Sequence, residues 1–159
     1  MALVHQRLYD SQDLSRLNLK EYIADLVKLF TRNQTACTGQ VCFETKLDDV
    51  FVLIDTAIPC GLVLSEIISN SLRHAFPDGR IGIIRINLGL SDDGTIRLRV
   101  ADDGLGLPSR FDPRTGGRMG LNFIFMIGEG QLGAVIEEKQ EQGLAYKLSF
   151  KDNLYTARL

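Results

Sequence analysis

Leu62-Val63-Leu64-Ser65-Glu66-Ile67-Ile68-Ser69-Asn70-Ser71-Leu72-Arg73-His74-Ala75-Phe76 is the stretch on which the reading of this chain turns. At about 100° per residue, Glu66, Asn70 and Arg73 fall within one narrow stripe, while Leu64, Ile67, Ile68, Leu72 and Ala75 gather on the opposite side. One face packs, and the other presents an acid, an amide and a cation. The spacing predicts a long helix from about Thr56 to Phe76, with Thr56 as N-cap and Pro59 inside the first turn, where a missing amide proton costs little. Pro77-Asp78-Gly79 ends it.

On the amino-terminal side, Leu19, Tyr22, Ile23, Leu26, Val27 and Phe30 follow a helical rhythm from Asn18 to Asn33, with Asn18 as cap. Before it, Ala2 to Tyr9 reads as the end of a helix whose Leu3, Val4 and Leu8 share a face. Gln40 to Leu47 and Val50 to Ile54 read as short strands, joined as a hairpin through Asp48-Asp49. On the other side, Ile81 to Leu90 and Thr95 to Ala101 alternate in polarity around Ser91-Asp92-Asp93-Gly94, an antiparallel hairpin. Asp102 to Arg118 is rich in glycine, has no apolar period and is expected as a loop. Gly120 to Gln131 reads as helix, and Ala134 to Lys139 with Leu144 to Lys151 as a closing hairpin around Glu141-Gln142-Gly143. The economical architecture for this order is a two-layer α/β sandwich, a mixed, mostly antiparallel sheet covered on one face by helices.

With 159 residues, one compact domain is expected, and 45% hydrophobic with 24% charged residues suit a soluble protein with a real core. The longest apolar stretch, Val50 to Leu64, is broken by Asp55 and Pro59 and is too short for a bilayer. Met1-Ala2-Leu3-Val4-His5 lacks the layout of a secretory signal. A net charge of -2 gives no global reason to bind nucleic acid or anionic membrane, so an anion site has to be local. Cys37, Cys42 and Cys60 contain no Cys-x-x-Cys pair and are odd in number, and are read as reduced thiols of a cytoplasmic protein.

Three patches carry chemistry. In the long helix, Asn70 offers an uncharged oxygen to a hard cation such as Mg²⁺, Glu66 can orient a metal-bound water, and Arg73 can pair with phosphate oxygens. A solvated helix face held by i, i+4 contacts would carry the same residues. In Val100-Ala101-Asp102-Asp103-Gly104-Leu105-Gly106, a strand runs into Asp-x-Gly-x-Gly, so that a planar ligand can approach the backbone while the acid accepts a hydrogen bond from an exocyclic amine such as that of adenine. A plain turn has the same composition. From Ser109 to Leu121, Arg110, Arg114 and Arg118 stand against Asp112 before a helix opens at Gly120, a triphosphate site with glycines that would let it close as a lid, or else a surface loop. Together, and in this order, the three describe one nucleotide site.

Glu66-x-x-x-Asn70-x-x-Arg73-His74 resembles the N-box of GHKL (Bergerat-fold) ATP-binding domains. Asp102-x-Gly104-x-Gly106 resembles the G1 box, and Gly117-x-x-Gly120-Leu121 the G2 box, followed by Gln131-Leu132-Gly133. His74-Ala75-Phe76-Pro77 and His5-Gln6-Arg7-Leu8-Tyr9 are similar to stretches of the HWE-like sensor histidine kinases. The resemblance implies that residues 1–15 are a remnant of the second dimerisation helix and its linker, and that 16–159 are the ATP-binding catalytic domain. It implies Asn70 as Mg²⁺ ligand, Glu66 supporting the metal through water, Arg73 facing the phosphates and His74 touching the nucleotide. Asp102 would bind the adenine amino group, while Gly104, Gly106, Gly117, Arg118, Gly120 and Leu121 would shape the pocket and lid. The γ-phosphoryl group of ATP would pass to a histidine on an acceptor (dimerisation) domain and onward to a response regulator, with the full-length protein a cytoplasmic homodimer.

Some positions depart from the family pattern. Asp103 stands where Asn is frequent, and Leu144 follows Gly143 where the family has Thr; the absence of Trp excludes the strict HWE subtype. The histidines are His5 and His74, neither in an acceptor context, so this chain is expected to bind ATP without phosphorylating itself. An anti-sigma-factor serine kinase shares the Glu-x-x-x-Asn and Asp-x-Gly-x-Gly patterns, and a degenerate, non-catalytic nucleotide-binding module is the other alternative.

Overall fold

Alternating side chains build the sheet. Ile84, Ile86 and Leu88 in one strand, Ile96, Leu98 and Val100 in the next and Tyr146, Leu148 and Phe150 in a third are all buried, while Arg85, Asn87, Arg97 and Lys147 between them are exposed. The computed structural model describes residues 16–31, 37–38, 40–107 and 119–152. Its first half contains β1 (Arg16–Asn18), α1 (Leu19–Thr31), β2 (Cys37–Thr38), β3 (Val41–Leu47), β4 (Phe51–Leu53) and α2 (Ile54–His74). Its second half contains β5 (Gly82–Leu90), β6 (Thr95–Asp102), α3 (Met119–Phe125) continued by a π-helical stretch Met126–Gln131, β7 (Val135–Gln140) and β8 (Leu144–Lys151).

Among the described residues, six strands form one sheet in the order β2-β3-β5-β6-β8-β7. β3 and β5 run parallel and the remaining neighbours antiparallel, which gives the mixed, mostly antiparallel sheet expected. Tyr22 and Ile23 of α1, Leu64, Ile67 and Ile68 of α2 and Ile124 of α3 join the apolar face of the sheet in one buried cluster. Lys46, Asn87, Arg97, Arg99 and Lys147 line the opposite, open face. The molecule is therefore a two-layer α/β sandwich.

The expected hairpin through Asp48-Asp49 does not form. β4 pairs with β1, an unforeseen strand, and β3 pairs with β5 instead. Parallel neighbours need a crossover longer than a tight turn, and the 21-residue α2 supplies it. α1 is capped as expected, Asn18 Oδ1 accepting from the Lys20 amide at 3.1 Å.

The start of α2 corrects two expectations. The helix begins at Ile54, so Thr56 lies inside it and Pro59 in its second turn rather than its first. No side chain at the N-cap position serves as cap. Instead the Asp152 carboxylate, 96 residues on from Thr56, accepts from the Thr56 hydroxyl at 2.7 Å and from the Leu53 amide at 3.3 Å. An anion is thereby held at the positive end of the helix dipole. Asp152→Ala should lower stability by about 0.5–2 kcal/mol, the usual cost of losing a cap, with urea unfolding as the measurement; an unchanged midpoint would leave Asp152 without a capping role.

The thiol reading also changes. Cys60 is a free thiol in the core, where burial pushes its pKa up to about 12. Cys42, however, is disulfide-bonded. β2 and β3 pair antiparallel with Cys37 in register opposite Cys42, a juxtaposition that a five-residue sequence spacing did not reveal.

Candidate functional site

Two elements meet at the site because the sheet register puts them there. β6 ends at Asp102, paired with Ile84 of β5, and the chain leaving it turns back over the carboxyl end of α2. The Leu105 amide donates to the Ala75 carbonyl at 3.0 Å, which satisfies a helix-end acceptor. Gly104 permits this approach, since a Cβ there would run into the Ala75 backbone. Gly106 follows at φ 74°, a conformation that favours glycine.

The result is a narrow, open cleft of about 80 Å³, smaller than most small-molecule sites. α2 lines it with Ile67, Asn70, Ser71 and His74, and the β6 exit with Asp102, Gly106 and Leu107. Leu121 of α3 and Leu144 and Tyr146 of β8 complete the wall. The helix face and the strand end singled out in the sequence thus converge on one cavity.

Asp102 is tightly held. Its Oδ1 accepts from the Gly104 amide at 3.0 Å and the Leu144 amide at 3.3 Å, and its Oδ2 accepts from the Ser71 hydroxyl at 2.9 Å. A carboxylate has about four acceptor positions, so three bonds fix its orientation and leave capacity toward the cleft. Gly143 lies directly against it, leaving no room for a Cβ. Ser71 was not foreseen: it sits one residue beyond Asn70, about 100° around the helix, and only the fold shows that this direction leads to Asp102.

Beside the cleft, Arg73 Nη2 donates to Asn70 Oδ1 at 3.2 Å and lies 3.8 Å from Glu66 Oε2. Acid, amide and cation therefore form one cluster, as their stripe on the helix required. Gly120 closes over it, its α-carbon so placed that a Cβ would come 2.9 Å from Glu66 Oε2 and 3.0 Å from Asn70 Oδ1. The Asn70 side-chain nitrogen and the Tyr146 hydroxyl are buried without a hydrogen-bond partner among the described residues.

Of the remaining expected residues, exposed His74 and buried Leu121 line the cleft. Gly117 and Arg118, with Arg110 and Arg114, lie outside the described residues. The expected helix after them divides into α3 and the π-helical stretch, where Leu132 bonds back to Ile127 and Gly128 packs too closely on Ile136 to carry a side chain. Asp103, at a position noted for departing from the family pattern, accepts from the Ile83 amide at 2.7 Å and so ties the loop to β5.

Residues 56–153 match the family model described as histidine kinase-, DNA gyrase B-, and HSP90-like ATPase, and residues 1–34 match one described as histidine kinase. The chain is 32% identical over 96 residues, 60% of its length, to blue-light-activated histidine kinase 2 of Erythrobacter litoralis, and spans 28% of that protein. It is 27% identical over 128 residues, 74% of its length, to an anti-sigma F factor of Heyndrickxia coagulans, of which it covers 84%. Among solved structures, the histidine kinase domain from the Erythrobacter litoralis EL346 blue-light activated histidine kinase superposes with a TM-score of 0.79 at 24% identity, covering 93% of this chain and 69% of that one. Among the described residues, no helix is long and apolar enough to cross a membrane.

Proposed function

The chain belongs to the histidine kinase-, DNA gyrase B-, and HSP90-like ATPase family, and from that premise we propose that it is the ATP-binding catalytic domain of a two-component sensor histidine kinase. The observation that carries the reading is Asp102, oriented by three donors at the wall of a cleft that Asn70 also lines. A fixed carboxylate with spare acceptor capacity suits the exocyclic amine of adenine. In this reading the phosphates extend past Asn70 toward Arg73 and the start of α3; Gly106, Leu121 and His74 line the same cleft.

Mg²⁺ fits the donor set. Asn70 Oδ1 and Glu66 Oε2 are hard oxygens that already face a cation, the Arg73 guanidinium. Among the described residues there is no group of three or more His, Cys, Asp or Glu side chains that could hold a metal, so the ion's remaining ligands would have to be waters and nucleotide oxygens. When bound, Mg²⁺ would neutralise phosphate charge during transfer. The protein's own part is positioning: Asp102 fixes the base, Arg73 pairs with phosphate oxygens, and Asn70 and Glu66 orient the metal and its water. Gly120, which closes over Glu66 and Asn70, suits a segment that covers the phosphates.

The γ-phosphoryl group passes, in this reading, to a histidine outside this chain, carried by the acceptor domain of a homodimeric kinase, and then to a response regulator. A cytoplasmic location follows from that reading alone, since the Cys42 disulfide removes the support of reduced thiols. The anti-sigma F likeness favours a serine kinase as second reading, whereas the match of residues 1–34 to a histidine kinase model favours the first. Calorimetric titration with Mg-ATP should give saturable, exothermic binding at or below millimolar dissociation constant. No heat at millimolar nucleotide would favour a degenerate domain. Phosphate appearing on a histidine of the parent acceptor domain, and not on a serine of a partner protein, separates the two kinases.

A further inference from the structure

Tyr146 has a property that a core residue should avoid. It is 2% exposed, yet its hydroxyl has no hydrogen-bond partner among the described residues. Such a group costs about as much as a lost buried hydrogen bond, and phenylalanine would fill the same volume without it. The ring is held in place by β8, paired with Val100 on one side and Glu138 on the other, and by Phe125, whose ring centroid lies 6.4 Å away at 58°. Tyr146 also lines the cleft that Asp102 lines. Burial foremost, then the charges of Glu138 and Asp102, push its pKa up, so the hydroxyl stays protonated and can donate.

We infer that the Tyr146 hydroxyl is a base-reading group, donating directly or through one bound water to the ring nitrogen beside the amino group that Asp102 accepts. The inference rests on the nucleotide reading above. Adenine presents a donor next to an acceptor on one edge, the amine and the adjacent ring nitrogen, and an acceptor from Asp102 beside a donor from Tyr146 is its complement. Guanine presents an oxygen and a ring N–H in those places, so its oxygen would face the Asp102 carboxylate. The orphaned hydroxyl is then a partner kept for the ligand, reached when the cleft lining parts to admit the base. Sites built to hydrogen-bond a substrate group discriminate well for this reason.

The test is Tyr146→Phe, which deletes one oxygen, compared with wild type for ATP, GTP and inorganic tripolyphosphate by calorimetry, with thermal unfolding of each protein without ligand. The ligand-free melting temperature should be unchanged or higher. ATP affinity should fall about tenfold, the preference for ATP over GTP should narrow, and tripolyphosphate affinity should stay the same. Equal ATP affinity in both proteins would overturn the inference while leaving the ATP reading intact, and so would an equal loss for tripolyphosphate. Failure of the wild type itself to bind ATP would instead overturn the reading on which the inference rests.

Discussion

Asp102→Asn should cost the domain its adenine recognition, lowering ATP affinity about 100-fold or more, while affinity for tripolyphosphate stays within a factor of about three. The asparagine oxygen can keep the Gly104 and Leu144 amides that Oδ1 now accepts, and the new amide nitrogen can donate to the Ser71 oxygen. The fold therefore survives. What fails is the contact with the base, because an amide N–H₂ would face the amine of adenine, donor against donor. Asp102→Ala is the poorer experiment, since it strands three donors at about 1–3 kcal/mol each and mixes unfolding with lost affinity. Parallel calorimetric titrations of ATP and tripolyphosphate decide the matter. Equal losses for the two ligands would mean that Asp102 holds the cleft together without reading the base.

That prediction could be framed from the sequence because the two strongest local signals are periodic. Glu66, Asn70 and Arg73 share a helical stripe, and β6 alternates until it stops at Asp102, so their faces could be assigned before any contact was known. The sheet hairpins β5–β6 and β7–β8 were legible for the same reason, each having polar turn residues between alternating runs. Non-local choices were not legible. The parallel pairing of β3 with β5, the β1–β4 ribbon and the Asp152 cap on α2 join segments far apart in the chain, and neither period nor propensity encodes which partner a strand or helix end will take. Ser71 and Tyr146 were missed at the site for a related reason. One looks like an ordinary helix residue and the other like an ordinary buried strand residue, and only the fold brings the Ser71 hydroxyl to Asp102 and places Tyr146 in the cleft wall.

Asn70→Ala should erase the metal dependence of nucleotide binding. In the wild type, ATP affinity measured with excess Mg²⁺ should exceed that in EDTA by about tenfold or more, as expected when one hard ligand and two ionic partners converge on phosphate. In the variant the ratio should fall to near one, with the EDTA value little changed. The reason lies in the present partners of the amide. Asn70 Oδ1 accepts from Arg73, and Glu66 lies 3.8 Å from the same guanidinium, so Arg73 already fills the role of a cation between them. A nucleotide that drew Arg73 onto its phosphates would free Oδ1 and the Glu66 carboxylate to hold Mg²⁺, so cation and phosphate would enter as a linked exchange. Removing the amide breaks the metal half of that exchange and leaves Arg73 free to pair with phosphate. Stability should change little, because the substitution also removes a side-chain nitrogen that is buried without a partner. Persistence of the full Mg²⁺ increment in Asn70→Ala would place the metal elsewhere and remove Asn70 from the site.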